Sequence, residues 1–244
     1  MIKPILFAGL LIAALVLWNQ KLQAYFGDMK IPQTDHPVVV ELFTSQSCSS
    51  CPPADQNLAA LADTQNIIAL GFHVTYWDHL NWKDTLSRDF ATDRQRRYAA
   101  ENRSGRVYTP QIIVNGDEGF VGSNRAKITA TLKNANDITP IILSETSSAL
   151  QISIPDFPKQ TSKSVTFWLF GVKKEYTQSI PSGENRGKTV TYRNAVLEQQ
   201  QITRTGQIQN FEIEKPHWPD IDRYVLITQD NAYGKITAAG QIDF

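Results

Sequence analysis

Two kinds of hydrophobic pattern follow one another along the chain. Pro37-Val38-Val39-Val40-Glu41-Leu42-Phe43-Thr44 is almost continuously apolar, as expected of a parallel strand buried on both faces. A loop from Ser45 to Cys51 follows, then Leu58, Leu61 and Ala62 at helical spacing in a segment running to about Gln65. Ile67 to Tyr76 predicts a second buried strand, and Ser87 to Asn102 a polar, arginine-rich helix. Thr109 to Gly116 predicts a strand ending in an Asn-Gly turn. A short strand around Phe120-Val121-Gly122 and a helix from Ser123 to Lys133 complete a β-α-β-α-β-β-α order, the mark of an α/β layer design. After Asn136 the period changes to two. Leu150, Ile152 and Ile154 alternate with polar residues, as do Val165, Phe167 and Leu169, Val190 and Tyr192, Phe211 and Ile213, and Val225 and Ile227. This predicts antiparallel strands with one wet face, read as a small β-sandwich-like domain over residues 138–244.

The N-terminus carries a different signal. Lys3 precedes an apolar run from Ile5 to Trp18, with no charge before Lys21. As a helix that run rises only ~21 Å, short of the ~30 Å hydrocarbon core. Residues 1–24 are therefore read as a signal peptide cleaved near Ala24, although Leu22 fits the small-residue rule poorly; an uncleaved N-terminal membrane anchor is the rival. Residues 25–36 read as a linker and 37–137 as the α/β domain. Either reading of the N-terminus predicts an extracytoplasmic protein, periplasmic or secreted.

Lysine plus arginine and aspartate plus glutamate each number 24 among 244 residues, so a global basic field for nucleic acid is absent. The local run Arg94-Gln95-Arg96-Arg97 is read as the solvated face of a helix. The cysteines change the picture more. There are two, Cys48 and Cys51, and random placement would give that spacing roughly once in a hundred chains. A bridge over two residues closes almost no loop and stabilises little, so its use is reactivity. No second cysteine pair completes a zinc site, and no metal or cofactor is expected.

Strand, CxxC, helix, strand, helix, then Thr109-Pro110 before a strand resembles the thioredoxin fold. The resemblance implies a cis proline at Pro110, with Thr109 and Pro110 binding the substrate chain, and it sets Glu41 near where thioredoxins carry a buried acid. Longer stretches resemble the domain-of-unknown-function 1223 family of secreted thioredoxin-like proteins. They are Glu41 to Gln46, Ser47 to Asp55, Phe72-His73-Val74, Tyr76-Trp77-Asp78, Trp82-Lys83-Asp84, Tyr108 to Gln111 and Gly183-Glu184-Asn185.

A free cysteine is only about 3% thiolate at pH 7, so the attacking sulfur gains from stabilisation of its anion. Cys48, on the open side of the loop, is the expected nucleophile and Cys51 the resolving thiol. Ser49 and Ser50 are expected to donate to the Cys48 thiolate, and Glu41 to accept the Cys51 proton. Pro52-Pro53 is expected to keep Cys51 extended and start the helix near Pro53, leaving Cys48 outside the reach of the helix dipole. Trp77 and Trp82 are read as a structural satellite core, with a lid or substrate wall beside the cysteines as the alternative, and no catalytic role is expected of His73 or His79. The loop Gly183 to Lys188 is read as a plain hairpin loop, with a loop that reaches the active site as the alternative. The expected function is thiol–disulfide exchange on protein or small-molecule thiols and disulfides. The alternatives are a binding scaffold with a vestigial disulfide and a copper-handling thiol protein.

Overall fold

Strand β1 (Val38–Thr44) lies at the centre of the first half of the chain, every residue buried. The computed structural model describes residues 29–157, 161–206 and 208–244, so the expected leader or anchor at 1–24 lies outside the described residues. Helix α1 (Pro52–Ala62) follows β1, then β2 (Ile67–His73), α2 (Asp89–Glu101), β3 (Gln111–Val114), β4 (Phe120–Val121) and α3 (Arg125–Lys133). β2 is parallel to β1, while β3 is antiparallel to β1 and β4 to β3. This is the expected β-α-β-α-β-β-α order.

Among the described residues the regular structure of the second half is strand apart from one 3-10 turn: β5 (Thr139–Pro140), β6 (Ile142–Glu145), β7 (Ala149–Ser153), β8 (Thr161–Ser179), β9 (Thr189–Gly206), β10 (Asn210–Glu214), β11 (Arg223–Gln229) and β12 (Ile236–Asp243). Nine strands form one sheet, in the order β4-β3-β1-β2-β9-β8-β11-β12-β5, and β10-β7-β6 form a second. β9 pairs with the edge of β2 through Gly71 and Ala195. The boundary drawn at 137/138 is therefore no break in the sheet, and residues Ile31–Phe244 form one compact unit. Two domains with separate sheets would have left the edge of β2 unpaired, and β9 covers it instead.

Alternation along each strand explains the layers. On β1, Val39 and Phe43 enter a core with Leu70 and Phe72 of β2, Tyr98 of α2, Trp168 and Phe170 of β8 and Ile227 of β11. Leu42 faces the other way, toward Ala54 of α1 and Ile112. In the second half the three-stranded sheet packs Leu150 and Ile152 against Phe167, Leu169 and Leu226. β7 and β10 keep the expected wet face. β8 and β11 do not: Trp168 and Phe170 serve one core while Phe167 and Leu169 serve the other, and β11 is buried from Tyr224 to Gln229. The sheet curls until Asn115, at the end of β3, accepts a hydrogen bond from Ile236 N of β12 at 2.9 Å.

Candidate functional site

The Ser45–Cys51 loop leaves the C-terminal end of β1 and runs straight into α1. Cys51 is the N-cap of that helix, and its carbonyl accepts from Ala54 N at 2.8 Å and Asp55 N at 3.1 Å. Its backbone is helical, φ −78° and ψ −36°, with Pro52 as the first helical residue. The expected extended Cys51 is thus corrected: the two carbonyl hydrogen bonds outweigh the steric bias against helical geometry before proline. Cys48 and Cys51 are joined as a disulfide, with Cα atoms 5.4 Å apart. Cys48 is 1% exposed and Cys51 fully buried, so the expectation of an open Cys48 is corrected too. Ser50 Oγ lies 3.4 Å from Cys48 Sγ, while Ser49 meets Glu184 through both its side chain and its backbone N–H.

Thr109-Pro110 is a cis peptide, and Pro110 comes one step before the Phe43–Gln111 register pair, level with Thr44. Trp77 Nε1 donates to Thr109 Oγ1 at 2.8 Å. Trp82 Nε1 donates to Gln46 Oε1 at 2.9 Å, and Ser47 Oγ to the Trp82 carbonyl. The aromatic segment therefore braces both the CxxC loop and the cis-proline turn.

Glu41 is not beneath the disulfide. It points from β1 toward α2, away from α1, where Arg94 Nε donates to its Oε1 at 2.6 Å and Tyr98 OH to its Oε2. Arg94, read as solvated, is 1% exposed and boxed by Phe72, Tyr98, Trp168 and Phe170; Gln95 is buried beside it, and Arg96 and Arg97 are exposed. The proton-accepting role expected of Glu41 is corrected on this geometry. Both its oxygens serve Arg94 and Tyr98, and a residue three before Thr44 lies on the opposite face of the strand.

The acid on the disulfide's side of the sheet is Asp55. It sits four residues after Cys51, on the same helix face. Thr44 Oγ1 donates to its Oδ1 at 2.7 Å, while its buried Oδ2 has no partner. Burial pushes its carboxyl up to about 7, partly opposed by His73 and Thr44 and reinforced by Asp84. Next to it His73 Nδ1 meets Asp84 Oδ2 at 2.7 Å, an oxygen that also accepts from Gln46 N; Asp84 Oδ1 accepts from Leu86 N. Burial works against a charged His73, but the charge and hydrogen bond of Asp84, with Asp55, outweigh it and raise the imidazole. Burial also works against charged Asp84; His73 and the two backbone N–H groups outweigh it and hold the carboxyl down.

The loop between β8 and β9 reaches this site, contrary to the plain hairpin read from the sequence. Asn185 is 1% exposed, and its Nδ2 donates to the Gln46 carbonyl at 2.9 Å and to the Cys48 carbonyl at 2.8 Å. Ser49 N donates to Glu184 Oε2 at 3.1 Å. Asp55 and Asn185 were visible in the chain only as motif letters. The helical four-residue step from Cys51 was a usable signal for Asp55; nothing local marks Asn185.

The family model described as "Protein of unknown function (DUF1223)" matches residues 39–229. A crystal structure of an Agrobacterium tumefaciens protein, 24% identical, superposes with a TM-score of 0.70 over 86% of this chain and 96% of its own. HBP35 of Porphyromonas gingivalis, 13% identical, superposes at 0.56 over 87% of this chain and 76% of its own. No curated protein matches.

Proposed function

The chain belongs to the DUF1223 family, and we propose that it is an exported thiol–disulfide oxidoreductase working through Cys48 and Cys51 on a thioredoxin-like core. The observation that carries this reading is the Cys48–Cys51 bond at the N-cap of α1, backed one helical turn on by the unpartnered Asp55 oxygen. The strand order β4-β3-β1-β2 around it, with the cis Thr109-Pro110 turn at the start of β3, supports the thioredoxin-like frame. In exchange, an incoming thiolate attacks Cys48 Sγ and the bond to Cys51 breaks. Cys51 leaves as thiolate, and Asp55, whose carboxyl burial pushes up to about 7 so that a protonated fraction persists at neutral pH, supplies its proton. Attack by a second thiol on the mixed disulfide frees Cys48. The reductant loses the two electrons that the protein gains. Thr109 and Pro110 border the site where a substrate chain would lie.

Equilibration of the pair with glutathione at pH 7, together with insulin-reduction assays, tests the proposal. A potential between roughly −120 and −270 mV with turnover that Cys48→Ser abolishes is expected. No turnover, and a bond that native protein never exchanges, would sink it. One observation favours a second reading, a binding scaffold with an inert disulfide: both cysteines are buried. That reading expects reduction only on unfolding.

A further inference from the structure

We propose that the 180–188 hairpin is a gate over the disulfide, held shut by Asn185 and Glu184, and that it must lift before a thiol reaches Cys48. The inference rests on the exchange reading above and deepens it. Attack on a disulfide needs approach to one sulfur along the S–S axis, and neither cysteine offers surface for that in the closed form. The hairpin contacts are directed at the reactive turn itself. Asn185 binds the backbone carbonyls of Gln46 and Cys48, and Glu184 binds the N–H of Ser49.

The rest of the hairpin is fastened to the neighbouring loop, since Ser182 Oγ donates to the Asn81 carbonyl at 2.6 Å. Lys188 Nζ donates to Asn185 Oδ1 at 2.8 Å and so holds the amide in the orientation that points Nδ2 at the two carbonyls. Along the seam between hairpin and loop runs a cleft of about 520 Å³, lined by Leu80, Asn81, Ser182, Gly183, Glu184 and Arg186. The cleft leads to Glu184, where a reductant would first meet the gate. Buried Ile180 anchors the base of the hairpin, while beyond it Ser182 and Gly183 are half-buried and Glu184 and residues 186–188 exposed, leaving the tip held by polar contacts. Polar contacts of this kind set a low local opening free energy, below that of global unfolding. Asn185 and Glu184 are thus positioning residues: they touch the backbone of the CxxC turn and control its access, not the chemistry.

The test is the rate at which dithiothreitol reduces the native, oxidised full chain without denaturant, in wild type, Asn185→Ala and Glu184→Ala. Loss of the two Asn185 bonds should raise the rate roughly tenfold or more, and loss of the exposed Glu184 contact a few-fold. Leu150→Ala, which weakens the distant small sheet, is the control for global destabilisation and should leave the rate unchanged. Should Asn185→Ala not fold, Glu184→Ala alone decides, because its side chain lies outside the core. Equal rates in wild type and the hairpin variants overturn the gate while leaving exchange intact. So does an increase that Leu150→Ala reproduces. A bond reduced in no folded form overturns the exchange reading and the gate together. Slow reduction of folded wild type, with the hairpin variants faster and Leu150→Ala unchanged, supports both.

Discussion

Asp55 accepts a hydrogen bond from Thr44 on one carboxylate oxygen and leaves the other buried and unpaired, one helical turn beyond Cys51. An ionised carboxylate would be costly there, which is why burial holds the acid up to about 7. The folded-state value exceeds the ordinary 3.8, so the folded chain binds this proton more tightly than the unfolded one does. The contribution to stability is complete below about pH 4 and is lost as pH rises through about 7. Urea unfolding of the oxidised protein should show a decline of on the order of 3–4 kcal/mol from this group across that window. Asp55→Asn should flatten that decline. An unchanged pH profile would place the carboxyl elsewhere.

Glu41 and Arg94 are expected to matter for folding and not for redox chemistry. Glu41→Gln leaves the Arg94 charge enclosed by aromatic rings and should cost about 3–5 kcal/mol in denaturant unfolding. The reduction potential of the folded fraction should stay at the wild-type value. A shifted potential with little loss of stability would restore Glu41 to the site.

Asp84 holds His73 and fastens the CxxC loop through Gln46 N. Asp84→Asn removes the charge that raises His73, so the imidazole pKa should fall when followed by NMR titration. The wild-type carboxyl is held low, so its stabilising effect is present above about pH 4 and is lost as pH falls through its folded-state value. The variant should therefore lose part of the wild type's acid sensitivity. A His73 titration identical in both proteins would rule out the pairing.

Gly116 closes the curl of the sheet. Its φ is +71°, and a Cβ there would lie 2.3 Å from the Gly234 carbonyl oxygen. Gly116→Ala should cost more than about 2 kcal/mol, from the left-handed backbone and the displaced strand together. Thermal unfolding measures it, and a loss under half that size would mean that β12 yields easily.

Much of the first half was legible because its signals are local. The unbroken apolar run of β1, the spacing of Cys48 and Cys51 and the Asn115-Gly116 turn each state one structural fact in a few residues. Arg94 was not legible, because its partner Glu41 lies 53 residues earlier and a charged residue on a polar helix looks solvated. The same holds for β11. Its alternation was read from Val225 and Ile227 as one wet face, but Tyr224 and Leu226 meet a second layer that only the small sheet supplies. Glu41 differs for a simpler reason: matching it to the buried acid of thioredoxins leaves out which face of β1 it occupies.

Asn185 lies 137 residues downstream of the cysteine carbonyl it holds. A ribosome adding ~5–20 residues per second needs on the order of ten seconds to make that stretch. Through that interval the two thiols of a nascent chain have no cover from the hairpin. The cover over the disulfide is thus added late, after both cysteines and the whole α/β half of the chain exist.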